Sequence, residues 1–217
     1  MTKVAAGQQD NARTLAAYEQ RAATYREQTG RVAASGDPFL ERLDALAPPG
    51  EVLEIGSAYG RDADALERLG RRVRRTDATR AFVDMQRADG HEAEVLDVLT
   101  DPLTTDHAGP YAAVLANAVL LHFTPVQVHE ILVKVRGALV PGGVLGFTVK
   151  VGDGSEWSTQ KLGLPRFFQY WQAEPLRHAV AGAGFDVREL TTEAGATWDW
   201  LIVLATPRDM LGDRPSA

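Results

Sequence analysis

The sequence predicts an α/β fold, in which helices cover both faces of an open and mostly parallel sheet. Short apolar runs alternate with segments of helical periodicity along most of the chain. Such alternation builds a parallel sheet, because each crossover helix returns the chain to the same edge. The link "EAGATWD" near the end is too short for a helical crossover. The last two strands are therefore expected to be antiparallel neighbours.

Seven runs have the composition of strands. In chain order they read "VLEIG", "RVRRTD", "AEVLD", "AAVLANAV", "VLGFTVK", "DVRELTTE" and "WLIVLATP". Helical periodicity is found in residues 10–28, 37–47, 61–69, 125–139 and 172–183. One helix start is marked by Thr124 before Pro125, a cap followed by a first-turn proline, and "PGG" at 141–143 is expected to stop that helix.

Composition narrows the class of protein. A chain of 217 residues with 45% apolar residues has the size of one domain with a full core. The formal charge of -6 disfavours a nucleic acid or an anionic membrane as partner. The absence of cysteine excludes disulfides and thiolate zinc sites. No apolar N-terminal core or spanning segment is evident, so we expect a cytoplasmic protein.

The chain is expected to divide into three parts. Residues 1–48 would form an N-terminal helical cap, residues 49–206 the ligand-binding domain, and residues 207–217 a flexible tail that is polar and contains Gly and Pro. Within the domain, residues 151–171 lack regular periodicity and are rich in aromatic residues. Long irregular insertions often cover sites, so we interpret this segment as a substrate lid.

The stretch "VLEIGSAYGRDADAL", from Val52 to Leu66, has the pattern of a strand, a tight turn and a helix start. In open α/β sheets, ligands bind beyond the carboxyl ends of the strands. Gly56 permits unusual backbone angles there, and Gly60 permits close approach of the chain to a ligand. The third glycine of the dinucleotide fingerprint is missing, and no Gly-Lys-Ser/Thr follows. These absences disfavour a pyrophosphate or triphosphate ligand.

Acidic residues end three successive predicted strands, and these residues are Glu54, Asp77 and Asp97. Asp77 is positioned to accept hydrogen bonds from a ribose diol. The carboxylate of Asp97 could accept a bond from an exocyclic amine. An adenosine joined to an amino acid suits such a site better than a pyrophosphate does.

These segments resemble a known family. "VLEIGSAYGRDADAL", "RTDATRAFVDMQ", "EVLDVLTDPL", "YAAVLANAVLLHF" and "LVPGGVLGFTVK" together are similar to class I S-adenosylmethionine-dependent methyltransferases. The resemblance is nearest to the small-molecule group related to ubiquinone-biosynthesis methyltransferases, and it covers roughly residues 15–206. It implies a Rossmann-like, seven-stranded, mostly parallel sheet with an antiparallel last strand. It also implies S-adenosyl-L-methionine as cofactor and S-adenosyl-L-homocysteine as product.

The resemblance further implies a set of cofactor-binding residues. The methionine end would lie beside Glu54, Gly56, Gly60 and Asn117, the ribose beside Asp77 and Ala78, and the adenine beside Asp97 and Val98, while Tyr18 and Tyr25 would fold over the cofactor. The turn departs from the usual small residues at Tyr59. We expect the Tyr59 side chain to point to solvent rather than to crowd the methionine end.

A sulfonium methyl group is already activated, so the enzyme must mainly align an acceptor with it and exclude water. A general base is needed only if the acceptor loses a proton. His122, just after the fourth predicted strand, is the candidate base, with an ordinary hydrogen-bonded structural histidine as an equal alternative. His107 in a loop and His129 on an outer helix face are weaker candidates.

Several residues are candidates for binding the methyl acceptor. Lys150 ends the fifth predicted strand and would meet an acidic substrate or pair with Asp153. In the predicted lid, aromatic residues favour an apolar or aromatic acceptor, and Arg166 would bind an anionic group. The aromatic candidates are Trp157, Phe167 and Tyr170, whereas Phe168, Trp171, Trp198 and Trp200 are interpreted as structural.

Two further patterns are interpreted as non-catalytic. The run "ERLGRRVRR" contains five arginines and is predicted to be a solvated face rather than a phosphate-binding patch. No acid–acid–Asn cluster or helically spaced histidine pair stands out, so we predict no metal site.

The leading hypothesis is methyl transfer to oxygen or nitrogen of a small molecule by a monomer or homodimer. Other chemistry with the same cofactor, such as cyclisation or methylation of sulfur or halide, stays open, because one fold supports many reactions. A non-catalytic cofactor-binding partner subunit is a second alternative. Methylation of RNA or protein is disfavoured by the acidic charge, and "ANAVLLH" stands where nucleobase amine methylation would require an Asn-Pro-Pro-Tyr-like motif.

Overall fold

The structure is a computed structural model that describes residues 2–29 and 37–208. The predicted tail at 207–217 lies almost entirely outside the described residues, as does part of the predicted 1–48 cap. None of the helices in the described ranges combines the length and apolar character needed to cross a bilayer.

In the described part of the chain, six α-helices precede, connect or follow the strands. They are α1 Thr2–Thr29, α2 Pro38–Leu46, α3 Arg61–Arg68, α4 Arg80–Ala88, α5 Pro125–Ala138 and α6 Ala173–Gly182. A short 3-10 helix, Leu120–His122, follows the fourth strand. Helix α5 begins with the predicted cap: Thr124 and Gln127 form a reciprocal capping box, and Pro125 opens the first turn. It ends at Ala138, before "PGG", which lies within the following strand.

Within residues 2–29 and 37–208, nine strands form two sheets. The strands are β1 Val52–Ile55, β2 Val73–Asp77, β3 Ala93–Val95, β4 Tyr111–Ala116, β5 Leu139–Lys150, β6 Ser155–Ser158, β7 Arg166–Gln169, β8 Phe185–Glu193 and β9 Trp200–Pro207. The large sheet has the order β3-β2-β1-β4-β5-β9-β8. Strands β1 to β5 are parallel, and β9 is antiparallel to both neighbours. The predicted seven-stranded sheet with its reversed last strand is confirmed.

The segment 151–171, predicted to be irregular, contains a two-stranded antiparallel sheet. Strands β6 and β7 pair with Trp157 opposite Phe167 and Glu156 opposite Phe168. Aromatic residues are favoured on paired strands, because their rings pack across the ladder. Periodicity along the sequence did not predict this hairpin, because each of its strands is only four residues long.

The sheet is buried on both faces. In β4, Val114 packs into the cluster beneath α5 and α6, whereas Ala113 and Leu115 pack into the opposite cluster with α2 and α3. Successive side chains of a strand point to opposite faces, which explains this alternation. Every residue of β4 is buried, as expected for a central parallel strand.

The arginine run is not the solvated face that the sequence predicted. Arg75 is 2% exposed and binds Asp64 and Glu67. Arg71 donates to the carbonyl oxygen of Pro48, and Arg74 donates to the hydroxyl of Tyr111. Further protein partners for these guanidinium groups include Asp44, Ala47, Glu94, Leu103 and Gln86. The prediction is wrong for Arg71, Arg74 and Arg75, because carboxylates and carbonyl oxygens of other segments bind their guanidinium groups. It holds for Arg68 and Arg72, which are exposed.

Candidate active site

A cavity lies at the carboxyl ends of β1, β2 and β4, beneath α1. Nine of the residues predicted from the sequence line it: Tyr18, Tyr25, Gly56, Asp77, Ala78, Asp97, Val98, Asn117 and His122. Parallel strands bring their carboxyl ends to one edge, so residues far apart in the chain meet there. We call this cavity the first cavity. Glu54 and Gly60 do not line it.

Gly56 and Gly60 shape the turn after β1 for different reasons. Both have positive φ, +71° at Gly56 and +92° at Gly60. A Cβ atom on Gly56 would lie 2.5 Å from Cγ2 of Val119, on the cavity wall. A Cβ atom on Gly60 would lie 2.6 Å from Nη1 of Arg75, away from the cavity lining. The structure thus places Gly60 as a packing position at the start of α3.

Asp77 ends β2 as a buried carboxylate. Its Oδ2 accepts a hydrogen bond from the amide of Ala58 at 2.8 Å, and its Oδ1 accepts one from the amide of Thr79 at 2.7 Å. Burial raises its pKa to about 6, against the lowering effect of these two amides. Each oxygen retains a further lone pair, so the carboxylate can accept hydrogen bonds from a ligand as well.

A polar network supports the turn from beneath. The side-chain amide of Gln86 donates to Oγ of Ser57 and to the carbonyl oxygen of Ala58, both at 2.9 Å. Arg75 lies next to the same side chain. The sequence reasoning did not identify Gln86, although its position on the inner face of α4 places it directly below the turn.

At the other end of the first cavity, Asp97 and Val98 follow β3. Oδ1 of Asp97 accepts a hydrogen bond from the amide of Leu99 at 2.9 Å, which closes a tight turn. Val98 is buried, and the ammonium group of Lys134 donates to its carbonyl oxygen at 2.8 Å. The cavity wall therefore combines one carboxylate and one apolar side chain at this end.

Asn117 follows β4 with a fixed side-chain orientation. Its Nδ2 donates to Oδ2 of Asp62 at 2.7 Å, and its Oδ1 accepts from Oγ1 of Thr148 at 2.7 Å. Glu54 lies behind this group, and its Oε2 is buried with no partner among the described residues. Burial and the neighbouring Asp62 raise the pKa of Glu54 well above its usual range.

Helix α1 closes over the first cavity through aromatic rings. Tyr25 packs edge-on against Tyr18 and Phe82, with ring centroids 5.5 Å apart in each pair. The hydroxyl of Tyr59 donates to the carbonyl oxygen of Thr29 at 2.8 Å. Tyr59 thus neither points freely to solvent, as the sequence suggested, nor lines the cavity, because its hydroxyl binds the end of α1. The first cavity has a volume of about 100 Å³.

His122 lies at the boundary of the first cavity with both ring nitrogens engaged. Its Nδ1 is 2.6 Å from the carbonyl oxygen of Phe167, and its Nε2 is 2.9 Å from the hydroxyl of Tyr18. A carbonyl oxygen only accepts, so Nδ1 carries the proton and Nε2 accepts from Tyr18. Burial lowers the pKa of His122 to about 3. By contrast, His107 and His129 are exposed and do not line this cavity.

A second cavity of about 480 Å³ adjoins the first. The two share the residues Tyr18, Tyr25, Ala118 and His122. Its volume lies in the range of small-molecule pockets. The predicted substrate residues Lys150 and Arg166 line it, together with Phe168, Trp198 and Trp200, which the sequence interpretation had assigned to structure alone.

Three predicted substrate residues lie elsewhere. Trp157 packs against Phe167, with ring centroids 5.9 Å apart, and the Arg13 guanidinium of α1 lies 4.5 Å from the Trp157 ring. Tyr170 donates its hydroxyl to Glu156 at 2.7 Å. The side chains of Trp157, Phe167 and Tyr170 thus fix the β6–β7 hairpin and do not line either cavity.

The suggested pairing of Lys150 with Asp153 is not present. Asp153 instead accepts a hydrogen bond from the side chain of Gln172 at 3.0 Å. The ammonium group of Lys150 lies over the rings of Phe168 and Trp198, at 4.1 Å and 4.6 Å from their centroids. The end of β5 directs this lysine into the second cavity, whereas Asp153 lies beyond it in an exposed turn.

Strained backbone is concentrated at the two cavities. In the described part of the chain, the non-glycine residues with positive φ are Ala58 at 48°, Ala118 at 55° and Lys161 at 75°. All three line one or both cavities. Left-handed backbone at such residues costs energy and is found preferentially at functional sites. This is an independent indication that the cavities form the active site.

Among the described residues, one group has the spacing of metal ligands: Asp64, Glu67 and His91. The Arg75 guanidinium binds both carboxylates at 2.6 Å, and this cation already neutralises much of their charge. None of the three residues lines either cavity described above.

An open sheet with one reversed strand, bearing an acid-lined cavity beside its first glycine turn, has the architecture of class I S-adenosylmethionine-dependent methyltransferases. The chain belongs to this class: a family model described as a methyltransferase domain matches residues 24–190. The narrower resemblance to ubiquinone-biosynthesis methyltransferases stays a prediction.

Solved structures share the fold. DhpI in complex with SAH has a TM-score of 0.71 and 23% identity, covering 92% of this chain and 97% of that chain. The CcbJ methyltransferase from Streptomyces caelestis has a TM-score of 0.69 and 17% identity, covering 89% and 98%. The 1,6-didemethyltoxoflavin-N1-methyltransferase of Burkholderia thailandensis has a TM-score of 0.63 and 18% identity, covering 89% and 88%. No curated protein sequence matches the chain significantly.

Proposed function

We propose that the protein transfers a methyl group from S-adenosyl-L-methionine to an oxygen or nitrogen atom of a small molecule and releases S-adenosyl-L-homocysteine. The observation that carries this proposal is the junction of the two cavities at Ala118 and His122. The first cavity has the position and the acidic residues expected for the cofactor, and the second cavity is large enough for a small acceptor.

The lining of the first cavity suits this cofactor. It includes the carboxylates of Asp77 and Asp97, and no Lys or Arg from the described residues lines it. A pyrophosphate would find no cation there, whereas an adenosine with a sulfonium group and an amino group is compatible with acids. Asp77 would accept hydrogen bonds from the ribose hydroxyls, Asp97 and Val98 would contact the adenine, and Gly56 and Asn117 would lie beside the methionine portion.

Helix α1 would shift when the cofactor enters. The volume of the first cavity, about 100 Å³, is below the range of pockets that bind ligands of this size. The rings of Tyr18, Tyr25 and Phe82 would separate on binding and then pack over the bound cofactor. This closure would exclude water from the reacting atoms, which is the main requirement for transfer of an activated methyl group.

The bound cofactor supplies an electrophilic methyl group on sulfur. Transfer would break the carbon–sulfur bond, with its electron pair passing to sulfur, and would form the new bond from a lone pair of the acceptor in line with it. The protein's part is to align the acceptor, which the strained residue Ala118 and the fixed Asn117 support at the junction of the cavities.

His122 is the proposed proton acceptor when the acceptor atom carries hydrogen. Its unprotonated Nε2 lies toward Tyr18, so a proton would reach it through the Tyr18 hydroxyl, which accepts one proton and donates its own. The low pKa of His122 makes it a weak base. A weak base is sufficient late in the reaction, since a hydroxyl group becomes strongly acidic once its oxygen is methylated.

Titration of the purified protein with S-adenosylmethionine, S-adenosylhomocysteine and NAD tests the cofactor assignment. We expect both sulfur compounds to bind and NAD not to bind. Tight binding of NAD without a response to the other two would refute the proposal. A panel of metabolites is then incubated with the protein and S-adenosylmethionine and examined by mass spectrometry. A gain of one methyl mass in a metabolite separates methyl transfer from other chemistry with the same cofactor and from a non-catalytic binding role.

A further inference from the structure

The second cavity is strongly cationic. Lys150 enters it from the end of β5, Arg166 from the start of β7, and Lys161 from the loop between β6 and β7. Glu156 is the acid among its lining residues, and Glu156 accepts the hydroxyl of Tyr170 at 2.7 Å. The charge of this cavity is thus opposite to that of the first cavity, which is lined by acids.

Arg166 is buried without a counter-ion. The residue is 5% exposed, and no carboxylate from the described ranges lies within ion-pair distance of it. Its Nη1 donates to the Tyr18 hydroxyl at 3.1 Å and its Nη2 to the carbonyl oxygen of Gln160 at 2.6 Å, while its Nε has no hydrogen-bond partner among the described residues. Buried arginines are normally paired with an acid, because desolvation of an unpaired charge is costly.

The two lysines also lack a described acid within ion-pair distance and are held by aromatic rings instead. The ammonium group of Lys150 contacts Phe168 and Trp198, and that of Lys161 lies 4.8 Å from the ring centroid of Tyr25. Burial and the nearby Arg166 lower the pKa of both lysines, that of Lys150 to about 8. Three cations therefore repel one another across the cavity, and an anion between them would relieve this repulsion.

We propose that the methyl acceptor carries an oxyanion, either a carboxylate or a phosphoryl-type group, which is bound by Lys150, Lys161 and Arg166. The rings of Phe168, Trp198 and Trp200 in the same cavity would contact a flat or apolar body. This inference rests on the proposed function, because it assigns the second cavity to the acceptor. It specifies the substrate class: an anionic small molecule whose charged group is the binding determinant.

The strained backbone of Lys161 supports this assignment. Its φ of 75° is unfavourable for a side-chain-bearing residue and is maintained by the surrounding loop. The loop connects β6 to β7, so the same hairpin supplies both Lys161 and Arg166. Lys161 is an exposed residue of this turn, and its side chain also lines the second cavity, where the ammonium group lies over the Tyr25 ring.

Binding of simple probes to the protein saturated with S-adenosylhomocysteine tests the inference. Benzoate and benzamide have nearly the same shape but differ in charge, and phenylphosphonate presents the other oxyanion. We expect benzoate or phenylphosphonate to bind at least tenfold more tightly than benzamide in calorimetric titrations. The stronger of the two anions identifies the oxyanion type. Equal affinity for all three probes would overturn the inference.

Three variants locate the anion. Lys150→Gln and Lys161→Gln are each expected to weaken anion binding about five- to tenfold and to leave benzamide binding unchanged. Arg177→Gln removes the same charge from the exposed face of α6 and is expected to have no effect. Unchanged anion affinity in both lysine variants would overturn the inference even if all proteins bind S-adenosylhomocysteine normally. Failure of the wild-type protein to bind S-adenosylhomocysteine would instead refute the proposed function.

Discussion

The hydroxyl of Tyr18 lies 2.9 Å from Nε2 of His122, and this hydrogen bond connects helix α1 to the segment that follows β4. The opposite ring nitrogen donates to the carbonyl oxygen of Phe167 in β7. Three segments distant in sequence thus meet at one imidazole. Arg166 donates to the same hydroxyl, so the first and second cavities share this hydrogen-bond chain.

The tautomer of His122 is a first prediction. Because a carbonyl oxygen accepts the Nδ1 hydrogen, we expect a neutral ring protonated at Nδ1 at pH 5, below the usual pKa of imidazole. Nitrogen-15 chemical shifts of the ring, assigned with a His122→Gln variant, measure this directly. A doubly protonated ring at pH 5, or a proton on Nε2, would contradict the hydrogen-bond assignment.

Stability should depend on pH through the same residue. The pKa of imidazole is about 6.5 in an unfolded chain, and that of His122 is about 3 in the fold. Between these values the unfolded chain binds a proton that the folded protein does not. The contribution of neutral His122 to the free energy of unfolding is therefore fully present above pH 6.5 and is lost as the pH falls toward 3.

Urea unfolding at pH 7 and pH 5 measures this contribution. We expect the wild-type protein to lose up to about 2 kcal/mol more unfolding free energy than His122→Gln between these two pH values. Other titrating groups, including Asp77, are common to both proteins and cancel in the comparison. An equal loss in the two proteins would show that the ring takes up a proton in the fold as easily as in the unfolded chain.

Asp77→Ala is expected to weaken binding of S-adenosylhomocysteine by about 1.5–3 kcal/mol, because hydrogen bonds to a charged group would be lost. In the wild-type protein, affinity should also decline as the pH falls through about 6, where the carboxylate takes up a proton. Calorimetric titration measures both effects. Asp153→Ala, which removes an exposed acid, is the control, and unchanged affinity in Asp77→Ala would refute the ribose assignment.

Gly60→Ala should destabilise the fold more than Gly70→Ala. The two glycines have nearly equal φ, +92° and +93°, so both substitutions carry the cost of a left-handed alanine, about 1–2 kcal/mol. Only at Gly60 does the added methyl group meet neighbours, Nη1 of Arg75 at 2.6 Å and Oε1 of Gln86 at 2.9 Å, whereas nothing lies within 4 Å at Gly70. Thermal and urea unfolding of the two variants measure the effect of these two contacts. Equal losses would show that Arg75 and Gln86 move aside without cost.

Local sequence patterns were sufficient to predict the large sheet. Strand and helix periodicity, the capped start of α5 and the short link before β9 all depend on residues close together in the chain. Of the three acids that end predicted strands, Asp77 and Asp97 line the first cavity, because parallel strands end at one edge, whereas Glu54 does not line it.

Long-range packing decided what local patterns could not. The β6–β7 hairpin places Arg166 beside Tyr18, which is 148 positions away. Tyr59 binds the end of α1, and Arg75 is buried against α3 and α4 rather than solvated. The sequence by itself determined the order of strands and helices and the residues at the strand ends. Only the tertiary structure decided their partners, because hydrogen bonds between distant residues depend on how the helices and the hairpin pack on the sheet.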